Sequence, residues 1–211
     1  MTPNKFFILV AVAGLTANLH AQGDVEAVDY TGASYTEYIV GYINDDTMGW
    51  AFSSSQNITI DSLGWLYAGI APPSTQVVSV GLWSTDGTLL RSTVIDNNSV
   101  SINGNFYESI NPIFIPAGST FIVAVGTSGQ PISFAIPPAS LIEQPLNYAG
   151  WAYLYGNGFT FPTIQPDAGD PDGLVPGATF LFQPVPEPSA LGLSALGGLL
   201  LAWRRRKARA I

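Results

Sequence analysis

Carboxylates and aromatic rings are the side chains in the body of this 211-residue chain best able to do chemistry. There are fifteen Asp and Glu residues, no cysteine, and a single histidine, His20. Both lysines, Lys5 and Lys207, sit in the end segments. The interior therefore lacks any residue to serve as base in a Ser-His-Asp, Cys-His or Ser-Lys system, and it cannot build a His- or Cys-based metal site. Paired carboxylates alone can run glycoside hydrolysis, acting across a cleft about 5–9.5 Å apart. Asp45, Asp46, Asp61 and Glu108 are candidates, although surface solvation is the ordinary reading of each. The expectation is that the protein is not an enzyme.

Two further groupings could bind rather than catalyse. Asp167, Asp170 and Asp172, spaced by Gly169 and Gly173, could offer calcium a loop of carboxylates and carbonyls. They do not fit an EF-hand, because that register puts Ala168 at position one and Thr179 at position twelve. A solvated turn is the plainer reading, so no cofactor is expected beyond a calcium ion there. Trp151, Tyr153 and Tyr155 fall on one face of a strand by period two, as do Trp65 and Tyr67. An exposed row of rings can stack on sugar faces; in most sandwiches such rows are core.

The elements that must position these residues are strands. Across 22–183, apolar and polar residues alternate, and Gly, Pro, Asn, Asp and Ser punctuate them at short intervals. This predicts an all-β fold, a single β-sandwich or jelly-roll-like domain. Strands are expected at 38–43, 50–54, 58–67, 77–84, 89–95, 107–115, 120–126, 132–136, 148–155 and 179–182. Thr85-Asp86-Gly87-Thr88 reads as a hairpin turn, since Asp-Gly accepts positive φ. Pro116-Ala117-Gly118 reads as a turn before Phe121–Val125, an unbroken apolar run expected of a central strand covered on both faces. Residues 156–177 read as one long loop.

Charge separates the ends from the body. Arg91 is the only basic residue between Lys5 and Arg204, so the body is strongly acidic and repels phosphate backbones; nucleic-acid binding is excluded. Residues 1–21 have the form of a secretory signal peptide. Lys5 precedes the ten-residue apolar run Phe6–Leu15, and Ala21 supplies the small residue for cleavage, leaving Gln22 as the mature N-terminus. The other end, 184–211, has three parts in order: Pro186-Glu187-Pro188, the uncharged stretch Ala190–Trp203, and the cluster Arg204, Arg205, Arg206, Lys207 and Arg209. Fourteen helical residues span about 21 Å against a hydrocarbon core of about 30 Å, a gap that thinning and snorkelling can close. The basic cluster is expected to stay cytoplasmic, with the acidic domain across the membrane.

This order of parts resembles the PEP-CTERM sorting signal of exported bacterial proteins. The resemblance implies handling by an exosortase, a membrane transpeptidase that cuts near Pro186-Glu187-Pro188. It implies membrane anchoring first, then release to the cell surface or to an extracellular matrix rich in exopolysaccharide. The stretch from Gly49 to Ile95, with Trp50-Ala51-Phe52, Ile58–Gly64 and Val80-Gly81-Leu82-Trp83, is similar to β-sandwich modules found in front of such tails. Function is thus expected to be structural or adhesive in envelope or biofilm. A carbohydrate-binding module, with or without calcium, is the alternative.

Overall fold

The structure is a computed structural model, and it describes residues 24–29, 39–43, 45–67, 77–126, 132–165 and 177–186. The chain divides into two units, Gly23–Pro184 and the two ends, Met1–Gln22 with Val185–Ile211. The expected signal peptide, the apolar stretch and the arginine cluster lie outside the described residues. Among the described residues no helix is long and apolar enough to cross a membrane, and the one helical piece is a 3-10 turn, Ala139–Leu141.

Thirteen strands form the described unit: β1 (Val25–Glu26), β2 (Ile39–Ile43), β3 (Thr47–Ser54), β4 (Ile58–Trp65), β5 (Val78–Ser84), β6 (Leu89–Ile95), β7 (Val100–Ile102), β8 (Asn105–Ile115), β9 (Thr120–Gly126), β10 (Ile132–Ile136), β11 (Leu146–Leu154), β12 (Thr163–Gln165) and β13 (Ala178–Pro184). They make a five-stranded sheet in the order β1-β13-β4-β8-β7, a six-stranded sheet β12-β11-β3-β9-β5-β6, and a β10-β2 pair. The all-β, sandwich-like architecture expected from the alternation is what forms.

The two large sheets meet through their even-period residues. Trp50 and Phe52 of β3, Val123 and Val125 of β9, and Val80 and Leu82 of β5 are buried against Ile58, Ile60, Leu63 and Trp65 of β4 and Phe180 and Phe182 of β13. Phe52 and Phe180 lie 4.7 Å apart centroid to centroid, and Trp50 stacks on Phe180 at 6.0 Å. Aromatic contacts of this kind add to the area they bury, so they fix the spacing of the sheets as well as driving collapse.

The other face of the six-stranded sheet is also covered, which explains the apolar run of β9. Ala152, Gly49, Ala124 and Gly81 lie side by side on four successive strands. This row of small residues leaves room for the chain that follows β11. Phe159 packs on Trp83 at 5.2 Å, while Phe161 packs against Ala51, Ile122 and Ala152. Thr47 Oγ1 donates to Gly158 O at 2.5 Å and accepts from Thr160 N at 3.0 Å, pinning the crossing segment. The expectation of one long loop over 156–177 is corrected here: within it Thr163–Gln165 pairs with Trp151–Tyr153 as β12. Its two-residue alternation is too short to register above the surrounding Gly and Pro.

Both predicted turns are present. Gly87 has φ +91° and donates its N–H to Ser84 O, and Asp86 Oδ1 accepts from Ser84 Oγ and Thr88 N. These bonds hold the Asp86 carboxyl below its ordinary pKa, the serine hydroxyl contributing most. Gly118 turns at φ +79°. A third turn escaped the sequence reading although its signal is strong: Asn103-Gly104, at φ +50° and +87°, joins β7 to β8 as a tight hairpin.

Candidate functional site

The aromatic row divides. Trp151 and Tyr153 are half-buried against the main core, whereas Tyr155, just beyond β11, is 76% exposed. Tyr155 meets Tyr153 edge-on at 4.0 Å. The Tyr153 hydroxyl donates to Asp46 Oδ2 at 2.8 Å, and Gly156 N donates to Asp46 Oδ1 at 2.6 Å. Burial, then the bond to Asp46 and its charge, push the Tyr153 phenol well above the ordinary tyrosine range. Asp46 thus ties the end of β11 to the start of β3. The second pair is further inside: Trp65 is fully buried, with Tyr67 edge-on at 5.4 Å.

The other carboxylate candidates are scattered. Asp45 stands at φ +59°, and its carbonyl accepts from Gly158 N at 2.8 Å. Glu108 lies on β8 opposite Leu63. Asp61 is on β4 where the registers with both neighbours slip: β8 has extra residues between Ser109 and Ile113, and Asp61 is itself extra relative to β13. A bulge re-aims its side chain. Asp167, Asp170 and Asp172, the calcium candidates, lie outside the described residues.

A grouping not visible in the sequence forms at the edge of the five-stranded sheet. Residues 24–29 are held on one side by β13, through Ala27 N to Phe180 O at 2.9 Å, and on the other by Asp29 N to Leu141 O at 3.1 Å and Glu143 N to Ala27 O at 3.0 Å. This gathers Asp24, Glu26, Asp29 and Glu143 around a pocket of about 270 Å³, with Val25, Ile102, Asn103 and Leu181. Glu26 accepts from Tyr107 Oη at 2.8 Å, from Asn105 Nδ2 at 3.5 Å and from Asn103 Nδ2. Burial first, and then the Glu26 charge, raise the Tyr107 phenol far above its ordinary pKa, so it stays a donor. Beside the pocket, Gln183 Nε2 donates to Asp24 Oδ1 at 2.7 Å and to Asp61 Oδ2 at 3.3 Å. Partial burial, then the Asp24 charge, raise the Asp61 carboxyl above its ordinary value. Among the described residues, no group of three or more His, Cys, Asp or Glu is arranged to hold a metal ion.

Asp24 and Asp61 are thus tied to Gln183 of β13 and Glu26 to the β7–β8 hairpin, and β13 is where the chain leaves the sheet. Pro184 is its last residue, paired with Ile58; Val185 is half-buried and Pro186 exposed. Glu187, Pro188 and Arg204–Lys207 lie outside the described residues.

The class that emerges is a two-sheet all-β unit running directly into a C-terminal sorting segment. Residues 184–207 match the PEP-CTERM protein-sorting motif. That motif implies export, recognition by an exosortase and sorting to the surface. No curated protein matches the chain. Among solved structures, a chain of "The 2.6A structure of Infectious Bursal Virus Derived T=1 Particles" aligns over 87% of this chain and 47% of its own, at 10% identity and a TM-score of 0.26.

Proposed function

We propose that this chain is an exported surface or extracellular-matrix protein whose jelly-roll-like sandwich is structural or adhesive and not catalytic. What supports this most is the match at 184–207, which begins on the final residue of the last strand. In this reading residues 1–21 are a signal peptide removed after Ala21. Ala190–Trp203 holds the protein in the membrane until an exosortase acts near Pro186-Glu187-Pro188. The acidic body, with Arg91 as its one cation, keeps crowded copies apart at a surface or within exopolysaccharide. The absence of His, Cys and Lys from residues 22–183 supports a non-catalytic role. So does the sharing of one Gln183 amide by Asp24 and Asp61, which serves packing and not a cleft.

Intact-mass spectrometry of the protein from its native envelope and medium tests the proposal. A mass starting at Gln22 and ending near Pro186–Ser189 is expected. A mass that keeps the arginine cluster would sink the exosortase step and leave a tail-anchored membrane protein.

Carbohydrate binding at Trp151, Tyr153 and Tyr155, with or without calcium at Asp167, Asp170 and Asp172, is the second reading. It draws support from Tyr155 alone, since that ring is open while the other two lean on the core. Glycan-array binding lost in Tyr155→Ala would establish it; an array blank for the parent protein would remove it.

A further inference from the structure

The sorting match starts inside the fold. Its first residue, Pro184, is still paired with Ile58, and Gln183 with Thr59. Val185 alone separates Pro184 from Pro186. An extended residue covers about 3.3 Å, so the motif begins within about 7 Å of a strand that has neighbours on both sides. One neighbour is β4 along the whole of β13; the other is β1, with Val25 opposite Phe182 and Glu26 opposite Leu181. Gln183 adds side-chain bonds on both sides, to Asp24 just before β1 and to Asp61 of β4. An enzyme that handles a peptide bond near the motif must take extended chain on both sides of it. The residues just upstream are already committed to a sheet.

We propose that the end of β13 is a latch on its own processing, resting on the exosortase reading above. The motif becomes usable only when Gln183 and Pro184 part from β4 and from Asp24 and Asp61. The opening has a natural stop: Phe182 is fully buried in the core, and drawing it out would mean dismantling the sandwich. The latch is therefore two residues long. Its opening is a local event, separate from global unfolding, and processing tracks the population of that open state.

The test uses the full-length chain in cells that process it, following by intact mass the fraction converted with time. Three variants are compared with the parent: Gln183→Ala, a four-residue Gly-Ser insertion between Val185 and Pro186, and Glu187→Ala in the motif. Gln183→Ala should raise the conversion rate by at least roughly tenfold, the weight of one hydrogen bond to a carboxylate. The insertion should raise it at least as much, because it frees the motif without touching the fold. The urea stability of Gln183→Ala should fall by no more than the free energy of that same fold-change, and the insertion should keep the parent midpoint, separating latch opening from general destabilisation. Parent-like conversion of both variants, with Glu187→Ala blocked, would overturn the latch and leave the exosortase reading standing. If Glu187→Ala were converted like the parent, the exosortase reading would fall and the latch with it.

Discussion

Trp50 Nε1 donates a hydrogen bond to the carbonyl of Ala178 across 2.8 Å, joining β3 of the six-stranded sheet to β13 of the five-stranded one. Both residues are fully buried, so the bond crosses the core between the two layers. Trp65, in the same core, has its Nε1 buried with no partner. The two indoles are therefore not equivalent. Trp50→Phe should cost about 3 kcal/mol, from lost packing plus an orphaned carbonyl, while Trp65→Phe should cost about 1 kcal/mol less because it also removes an unsatisfied donor. Urea denaturation of the two variants would show the difference, and equal losses would contradict it.

Two glycines separate steric from conformational demands. A Cβ on Gly49 would lie 1.9 Å from Val123 O and 2.4 Å from Ala124 Cα, both backbone atoms that cannot yield without parting β3 from β9. A Cβ on Gly104 would meet nothing within 4 Å, leaving only the strain of φ +87°. Gly49→Ala should lower stability by about 3 kcal/mol or prevent folding, and Gly104→Ala should cost about 1 kcal/mol. Thermal melts of both would settle the order.

Arg91 places its guanidinium on backbone carbonyls, Nε on Asn111 O at 2.9 Å and Nη1 on Leu90 O at 2.6 Å. Asn111 lies within the extra residues of β8, where the ladder to β4 is interrupted and a carbonyl is left to be satisfied. The side chain thereby links edge strand β6 to the opposite sheet. Arg91→Met should cost about 1 kcal/mol, and Arg91→Lys should recover little, since a point charge cannot reproduce the planar fork. Urea titration would check both, with full recovery by lysine counting against the geometry.

Asp61 gives a pH dependence of unusual sign for a carboxylate. Its folded pKa is raised above the ordinary 3.8 by burial and by Asp24, so the folded protein binds the proton more tightly than the unfolded chain. Its charge therefore weakens the fold at neutral pH, and that penalty fades as pH falls through the folded pKa toward 3.8. Asp61→Asn should be at least as stable as the parent at pH 7, with the gap closing toward pH 4. A gap that widened on acidification would contradict the sign. The comparison is made between the two proteins, because other carboxylates titrate in both.

Much of the fold was legible before the structure. β6, β9 and β10 form over the expected residues, and the remaining expected strands shift by a few residues at their ends. What was missed is short and depends on neighbours. β1, β7 and β12 are only two or three residues long, and each exists because a longer strand offers it an edge. Asn103-Gly104 was readable and was passed over. Trp151 and Tyr153 share a face as period two requires, but alternation cannot say which face meets the core, and they turn out to lean inward.

The sequence by itself determined the ordering of segments and the chemistry available to each: an apolar N-terminal run, an acidic β-forming body without His, Cys or Lys, and a sorting motif matched at 184–207. These are properties of composition and of contiguous pattern, and they survive any folding. Only the tertiary structure decided that Asp24, Asp61 and Gln183 meet, although 159 positions separate Asp24 from Gln183. Only it decided that the strand beginning at Val25 closes on the strand leading to the sorting motif. Contacts of that range are set by which strand edges remain open once the sheets have formed and by how the core rings pack. Neither is written in any local stretch of the chain.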